Sequence, residues 1–303
     1  MGFWIFVFAA LAIWLIVLSV KAKKKRRQKG LEEAILQAHR TGNWEIVDNY
    51  CVRENISDAA LKKTEKSVML SLAEGGDLEA MRSLVTSAET AEERCRWLTK
   101  LSEAGDARSM YRLALGYSEA INAKSSVDSF GEDPEKEFYW YCKAADKGYD
   151  KAMAAVAGCY YFGTGVPKDK EKAFDYAKDC ANRGSSACCF FLVDNFGFQF
   201  DNPHITTAER IKMMERVMLR GEPESFAKAA WKLGFAYGEA YLYDKPENEY
   251  SDRRKAAYCF VLAYVLDKDL YDKDKIIKAG YRATQYELNK WQEDARNLRY
   301  NPA

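Results

Sequence analysis

The sequence predicts an all-α protein, a solenoid of stacked helical hairpins that follows one N-terminal transmembrane helix. Three observations support this fold class: an uncharged apolar run at the N-terminus, glycines that recur at intervals of 29 to 43 residues, and a charged, proline-poor composition. The chain has 303 residues, of which 30% are charged and six are proline. This composition is typical of helical domains, and the length suffices for one large domain or two ordinary ones.

The first twenty residues form a segment of their own. No charged side chain lies between Gly2 and Val20, and a run of this length spans a bilayer as one helix. A cleaved signal peptide needs a basic region before the apolar run and a small-residue cleavage site, and this N-terminus has neither. We therefore predict an uncleaved transmembrane anchor over residues 1–20.

A basic segment follows the predicted anchor directly. Residues 21–30 begin KAKKKRRQK and carry seven Lys or Arg side chains and no acid. Because positive residues stay on the cytoplasmic side, we expect an inner-membrane protein with its N-terminus outside and its body in the cytoplasm; a periplasmic-facing domain is the alternative. We interpret the segment as a juxtamembrane linker that also attracts anionic headgroups. The remaining chain carries a formal charge of −6, which argues against a nucleic-acid partner.

A repeat is marked by glycines that each end one helical run and precede another. These are Gly42, Gly76, Gly105, Gly148, Gly184 and Gly221. Asp133 and Asp169 precede helical runs, where an aspartate caps free N–H groups. Gly163 and Gly165 predict a turn between the two helices of one hairpin. Because helices of about a dozen residues are marginal alone, the hairpins must be stabilised by stacking on one another.

One hairpin carries a family signature. Residues 156–184, VAGCYYFGTGVPKDKEKAFDYAKDCANRG, resemble a repeat of the Sel-one-like family, which is related to tetratricopeptide repeats. The matching positions are Tyr160, Gly163, Gly165, Val166, Asp169, Lys172, Ala173, Tyr176, Ala181 and Gly184. The resemblance implies a right-handed α-solenoid, which we place over residues 31–271, and a capping helix and tail over 272–303. Residues 105–148 and 233–256 match in part, whereas 31–104 are equally compatible with tetratricopeptide hairpins.

The sequence offers little for catalysis, and we expect no enzyme, no cofactor, no metal and no small-molecule substrate. The chain has two histidines, and none of its eight cysteines forms a C-x-x-C pair, which disfavours zinc. Cys188 and Cys189 would need a histidine to activate them, so a hydrolase is a remote alternative. Cys180 and Cys188 bracket a predicted turn and are candidates for a disulfide, although reduced thiols agree with a cytoplasmic body.

Candidate partner-binding residues lie on two long predicted connections and one helix. The connections are Ser118–Glu132 and Gly238–Ser251, and the second contains three tyrosines, a residue type enriched at interfaces; a solvated loop is the alternative. The candidates are Tyr241, Tyr243 and Tyr250, together with Arg108 and Arg112, which lie one turn apart.

These observations favour a membrane-anchored adaptor or scaffold that binds a protein partner, the role that the family resemblance implies. The alternative is an immunity-type or inhibitory protein that neutralises one toxin or enzyme.

Overall fold

The structure is a computed structural model that describes residues 2–118, 130–196, 205–220, 223–242, 251–266 and 284–297. Within these ranges the side chains of residues 2–13, 223–224, 239–242 and 285 lie outside the described set. Every regular element in the described ranges is an α-helix, which confirms the predicted all-α class for that part of the chain. In chain order the helices are α1 (Gly2–Thr41), α2 (Glu45–Glu54), α3 (Asp58–Glu74), α4 (Leu78–Ser87), α5 (Ala91–Glu103), α6 (Ala107–Gly116), α7 (Pro134–Asp146), α8 (Asp150–Phe162), α9 (Lys170–Asn182), α10 (Ser186–Phe196), α11 (Thr207–Met218), α12 (Pro223–Leu242), α13 (Arg253–Leu266) and α14 (Gln285–Arg296).

The chain divides into two compact units, residues 1–109 with 124–130 and residues 110–123 with 131–303. In the first unit α1 packs on both α2 and α3, and α4 packs on α3 and α5. In the second unit each helix from α7 to α13 packs on the next, and α8 also packs on α10. Contacts between helices two apart, such as α8 and α10, place neighbouring hairpins against each other. The predicted stacking of hairpins is therefore present within both units.

The predicted glycine corners end helices in the left-handed conformation. The φ angles are +73°, +94°, +92°, +81° and +107° at Gly42, Gly76, Gly105, Gly148 and Gly184. At Gly184 the glycine N–H donates to the carbonyl of Ala181 (3.0 Å), and the Ser185 N–H donates to that of Cys180 (2.9 Å). The same pair of hydrogen bonds recurs at Gly76, Gly105 and Gly148. This Schellman arrangement satisfies the last carbonyls of a helix; Gly221 lies outside the described residues.

Three hairpins share one set of contacts between their two helices. The N–H of Asp169 donates to the carbonyl of Tyr160 (2.8 Å), and the Asp169 carboxylate accepts from the N–H of Lys172 (2.9 Å). The Lys172 ammonium lies 4.4 Å from the centroid of the Tyr160 ring. The same contacts join two further trios: Tyr117, Asp133 and Lys136; Tyr237, Asp252 and Lys255. The hairpins α6–α7, α8–α9 and α12–α13 are therefore structurally equivalent, although their sequences match the signature to different degrees.

The two signature glycines of the α8–α9 turn have different tasks. Gly163 ends α8 with φ +86°. Gly165, with φ +67°, lies directly against the start of α7, because a Cβ there would overlap the carbonyl oxygen of Pro134 and lie 2.7 Å from its carbonyl carbon. The turn thus docks backbone against backbone on the preceding hairpin, which requires glycine. The signature residue Ala173 is fully buried on α9 and lets the helices approach closely.

Helix α1 runs without a break from Gly2 to Thr41 and includes the basic segment 21–30. Its last turns bury Leu31, Ile35 and Ala38 in the first unit. Within the part of the chain that the structure describes, no helix combines enough length with enough apolar character to cross a membrane. The predicted anchor covers residues 1–20, and the side chains of residues 1–13 lie outside the described set.

The predicted connection Gly238–Ser251 begins later than expected. Helix α12 continues to Leu242, so Tyr241 lies on a helix rather than in a loop. Gly234, four residues before the predicted connection, does not take a positive φ and faces α13, where a Cβ would lie 2.5 Å from the Phe260 ring. Gly234 therefore serves close contact between helices and not a corner.

The C-terminal region contains a helix where a cap was predicted. Helix α14 buries Trp291 and Ala295, and the Trp291 ring packs edge-to-face on Tyr258 of α13, 5.5 Å between centroids. The Tyr258 hydroxyl donates to the Asp294 carboxylate at 3.2 Å. Helix α14 therefore covers the outer face of α13, while the predicted cap residues 272–283 and 298–303 lie outside the described set.

Candidate partner-binding groove

The second unit contains an open groove of about 980 Å³. It is lined by the N-terminal halves of α8 and α12, by α10 along its length, by the end of α9 and by the corners at Gly148 and Gly184. Helices α8, α10 and α12 are the first helices of three successive hairpins. A surface that extends over several hairpins is the kind of surface through which solenoids bind other molecules. We refer to it as the groove.

The base of the groove is apolar and tied together by one aspartate. Phe190 and Phe191 of α10 supply aromatic surface, and the Lys228 ammonium lies 4.5 Å from the Phe190 ring centroid. Asp194 of α10 forms ion pairs with both Lys228 (4.0 Å) and Lys232 of α12. Asp194 therefore links α10 to α12 along the groove.

The corner at Gly184 is held by the hairpins on either side. From the preceding hairpin, the Asp150 carboxylate accepts from the N–H of Ala187 (3.0 Å) and caps α10, which leaves one fewer unsatisfied donor at that helix end. From the following hairpin, Arg220 donates to the carbonyl of Gly184, and Arg216 donates to that of Ala181 (3.4 Å). These two cations at the C-terminus of α9 also interact favourably with the negative end of its helix dipole.

The groove carries more positive than negative charge. Its charged lining residues are Asp150, Lys151, Arg183, Asp194, Arg220 and Lys228. Both acids are engaged in the contacts above, whereas Lys151 and Arg183 are exposed. The Arg183 guanidinium lies 2.9 Å from the carboxylate of Asp179, which neutralises it in part. The groove is therefore a locally basic surface on a body whose formal charge is negative.

Two cysteines meet beneath the groove, as predicted, but as free thiols. Cys180 and Cys188 are both fully buried, and their thiols are in hydrogen-bonding contact. As free thiols both residues pack as small apolar side chains, and the disulfide between them stays a prediction. Burial raises the pKa of the Cys188 thiol to about 12 and also raises the pKa of Cys189. Neither thiol is a good nucleophile, because the thiolate is the reactive form.

The predicted partner-binding residues lie elsewhere. Arg108 is exposed and Arg112 is half-buried on α6, and neither lines the groove. The side chain of Tyr241 and all of Tyr243 and Tyr250 lie outside the described residues.

Sequence reasoning missed the residues that do line the groove, although the glycine corners contained a signal. Asp150 and Ser186 each lie two positions after a corner glycine, and Lys151 and Ala187 lie three after it. Residues just after successive corners therefore share one surface. Among the described residues there is no group of three or more His, Cys, Asp or Glu side chains placed to hold a metal ion.

A solved structure shares this architecture. A Sel1 repeat protein from Oxalobacter formigenes is 16% identical, with a TM-score of 0.50, over 89% of this chain and 75% of that protein. The fold is that of a Sel1 repeat protein. A protective antigen of uropathogenic Escherichia coli with an SLR fold, c5321, is 15% identical with a TM-score of 0.43, over 90% of this chain and 68% of that one. No family model matches the chain.

Proposed function

We propose that this chain is a membrane-anchored adaptor that holds a protein partner at the cytoplasmic face of the inner membrane. The observation that carries the proposal is the groove, which offers aromatic surface at its base and exposed cations at its rim. Buried aromatic anchors surrounded by a polar rim are typical of protein interfaces. An acidic segment of a partner fits this surface best, because Lys151 and Arg183 would pair with its carboxylates.

The membrane anchor is supported by the exposed half of the apolar run. Every side chain from Trp14 to Val20 is exposed, with Trp14 at 59%, Ile16 at 61% and Val20 at 61%. A helix that is apolar on all sides requires an apolar environment, and a bilayer supplies it. Since α1 continues into the buried residues Leu31 and Ile35, the proposed anchor is joined to the first unit by a helix.

A role without catalysis is supported by the state of the thiols. Burial raises the pKa of Cys159 to about 12, as it does for Cys188, and it also raises the pKa of Cys259. These groups stabilise the core and do not supply nucleophiles. The adaptor therefore acts through its surface.

Affinity capture from detergent-solubilised membranes tests the groove. The double variant Lys151→Glu, Arg183→Glu should lose a partner that the wild-type chain retains. The variant Lys212→Glu is the matched control, because Lys212 is exposed on α11 outside the groove. If the double variant and the control capture equal amounts of the partner, the groove is not its binding site. If no captured partner depends on residues 31–303, the adaptor proposal is refuted.

A C-terminal topology fusion tests the location. A reporter that is active only in the cytoplasm should be active, and one that requires the periplasm should be silent. The opposite pattern would place the body on the periplasmic side. If deletion of the gene poisons the cell and loss of a neighbouring toxin gene prevents this, the chain is an immunity protein and not a general adaptor.

A further inference from the structure

A second basic surface lies in the first unit, where α1 leaves the apolar run. It is a cleft of about 500 Å³ between α1 and the segment that runs from the α2–α3 turn to the middle of α3. Its volume is within the range of roughly 300–1,000 Å³ that is usual for small-ligand sites. Its polar lining residues include Lys24, Arg27 and Gln28 from α1 and Ser57, Lys63 and Ser67 from the α3 region. No carboxylate is among its described lining residues. We call it the headgroup cleft.

The three cations of the cleft differ in whether another residue already engages them. Arg27 is positioned by a hydrogen bond to the carbonyl of Asn55 (3.1 Å) and by the Glu54 carboxylate, 3.7 Å from its Nε. Among the described residues no ion pair engages Lys24 or Lys63, and both side chains are exposed. The cleft therefore combines one held guanidinium with two free ammonium groups, a donor set that suits a phosphate.

Hydroxyl groups add to this donor set. The Ser57 oxygen accepts from the N–H of Ala60 at 3.4 Å and caps α3, which leaves its O–H free to donate. Ser67 is exposed on the same side of the cleft. Neutral donors next to cations are the usual surroundings of a bound phosphate ester.

The distance of the cleft from the end of the apolar run matches the depth of a lipid headgroup layer. The apolar run ends at Val20, and Lys24 follows four residues later, which is about 6 Å along a helix. The polar layer on each side of a bilayer is roughly 5–8 Å thick. Lys24 would therefore lie at the depth of the lipid phosphates if the run spans the membrane.

We propose that the headgroup cleft binds the phosphate of one anionic phospholipid. This rests on the proposed membrane anchor. Such a site differs from the diffuse attraction of a polybasic segment, because only cations that line the cleft contribute to binding, and a neighbouring cation outside it does not. Lys63 lines the cleft and Lys62 does not, although both are exposed on α3 and carry the same charge.

Native mass spectrometry of the full-length chain in neutral detergent tests this assignment. The chain is mixed with equal amounts of phosphatidylglycerol and phosphatidylcholine, and the retained lipid is counted. The wild type should retain one phosphatidylglycerol, and Lys63→Gln should retain about fivefold less, as expected from roughly 1 kcal/mol per cation near the headgroups. Lys62→Gln should bind phosphatidylglycerol like the wild type. Lys63→Arg should also bind it like the wild type, because the substitution keeps the positive charge.

Three outcomes would overturn the assignment. Equal losses in Lys62→Gln and Lys63→Gln would show diffuse attraction without a site. Displacement of the lipid by millimolar inorganic phosphate would make it a site for free phosphate, and displacement by an acidic peptide would make it a protein site. Carbonate extraction of membranes is measured in parallel: release of the wild-type chain refutes the anchor, whereas firm retention with no Lys63 effect refutes only the cleft.

Discussion

Replacing Gly165 by alanine tests how the hairpins stack. The residue has φ +67°, which costs an L-amino acid about 1–2 kcal/mol. The new Cβ would also overlap the carbonyl of Pro134 and lie 3.0 Å from the Cβ of Phe138. Because the overlapped atoms are backbone, no side chain can move away, and α7 must shift at a cost of about 1–3 kcal/mol. We expect Gly165→Ala to lower the free energy of unfolding by about 2–5 kcal/mol in total.

Two glycines of the same hairpin provide controls. Gly163 also has a positive φ, but its nearest contact would be the Lys168 Cβ at 3.1 Å, so Gly163→Ala should show mainly the conformational cost. Gly158 lies within α8 with only Phe191 at 4.0 Å, so Gly158→Ala should be neutral or stabilising by about 0.5–1 kcal/mol. Urea unfolding of the full-length chain, followed by far-ultraviolet circular dichroism, gives the three values. If Gly165→Ala is no more destabilised than Gly163→Ala, backbone docking between hairpins does not hold the stack together.

Further predictions concern one buried carboxyl, one helix cap and the cysteines. Burial raises the pKa of Glu137, so the fold disfavours its ionised form, and Glu137→Gln should raise the thermal midpoint relative to wild type at neutral pH. This gain in the midpoint should shrink as the pH falls towards the ordinary glutamate pKa, because the wild-type carboxyl is then neutral in both the folded and the unfolded chain. A gain that stays constant on acidification would contradict the prediction. Asp169→Ala should cost about 1 kcal/mol in urea unfolding through loss of the α9 cap, whereas Asp175→Ala, exposed in mid-helix, should cost much less; similar losses would refute the capping role. Burial raises the pKa of the half-buried Cys142 to about 11 and also raises the pKa of the completely buried Cys259. Of these two thiols, Cys142 should be alkylated first, as measured by mass spectrometry, because it is the more accessible. Alkylation of Cys259 before Cys142 would be incompatible with this packing.

Local sequence signals predicted the hairpins well because each depends on residues close together in the chain. A corner glycine ends a helix through hydrogen bonds within its own last turn, as at Gly184. An aspartate such as Asp169 caps the helix that follows it. The start of the predicted connection at Gly238 was placed too early, because helix α12 continues to Leu242. Gly234 of the same helix shows the limit of a local signal, since it makes close contact with Phe260 of α13, which comes later in the sequence.

The sequence by itself therefore determined the helical hairpins, their phase and the apolar run before them, since these follow from backbone preferences and side-chain periodicity. Only the tertiary structure decided which side chains share a surface. The groove joins Lys151 to Lys228, and the headgroup cleft joins Lys24 to Lys63. Such pairs lie dozens of residues apart, and their meeting depends on how one helix packs across another, which no short-range pattern encodes.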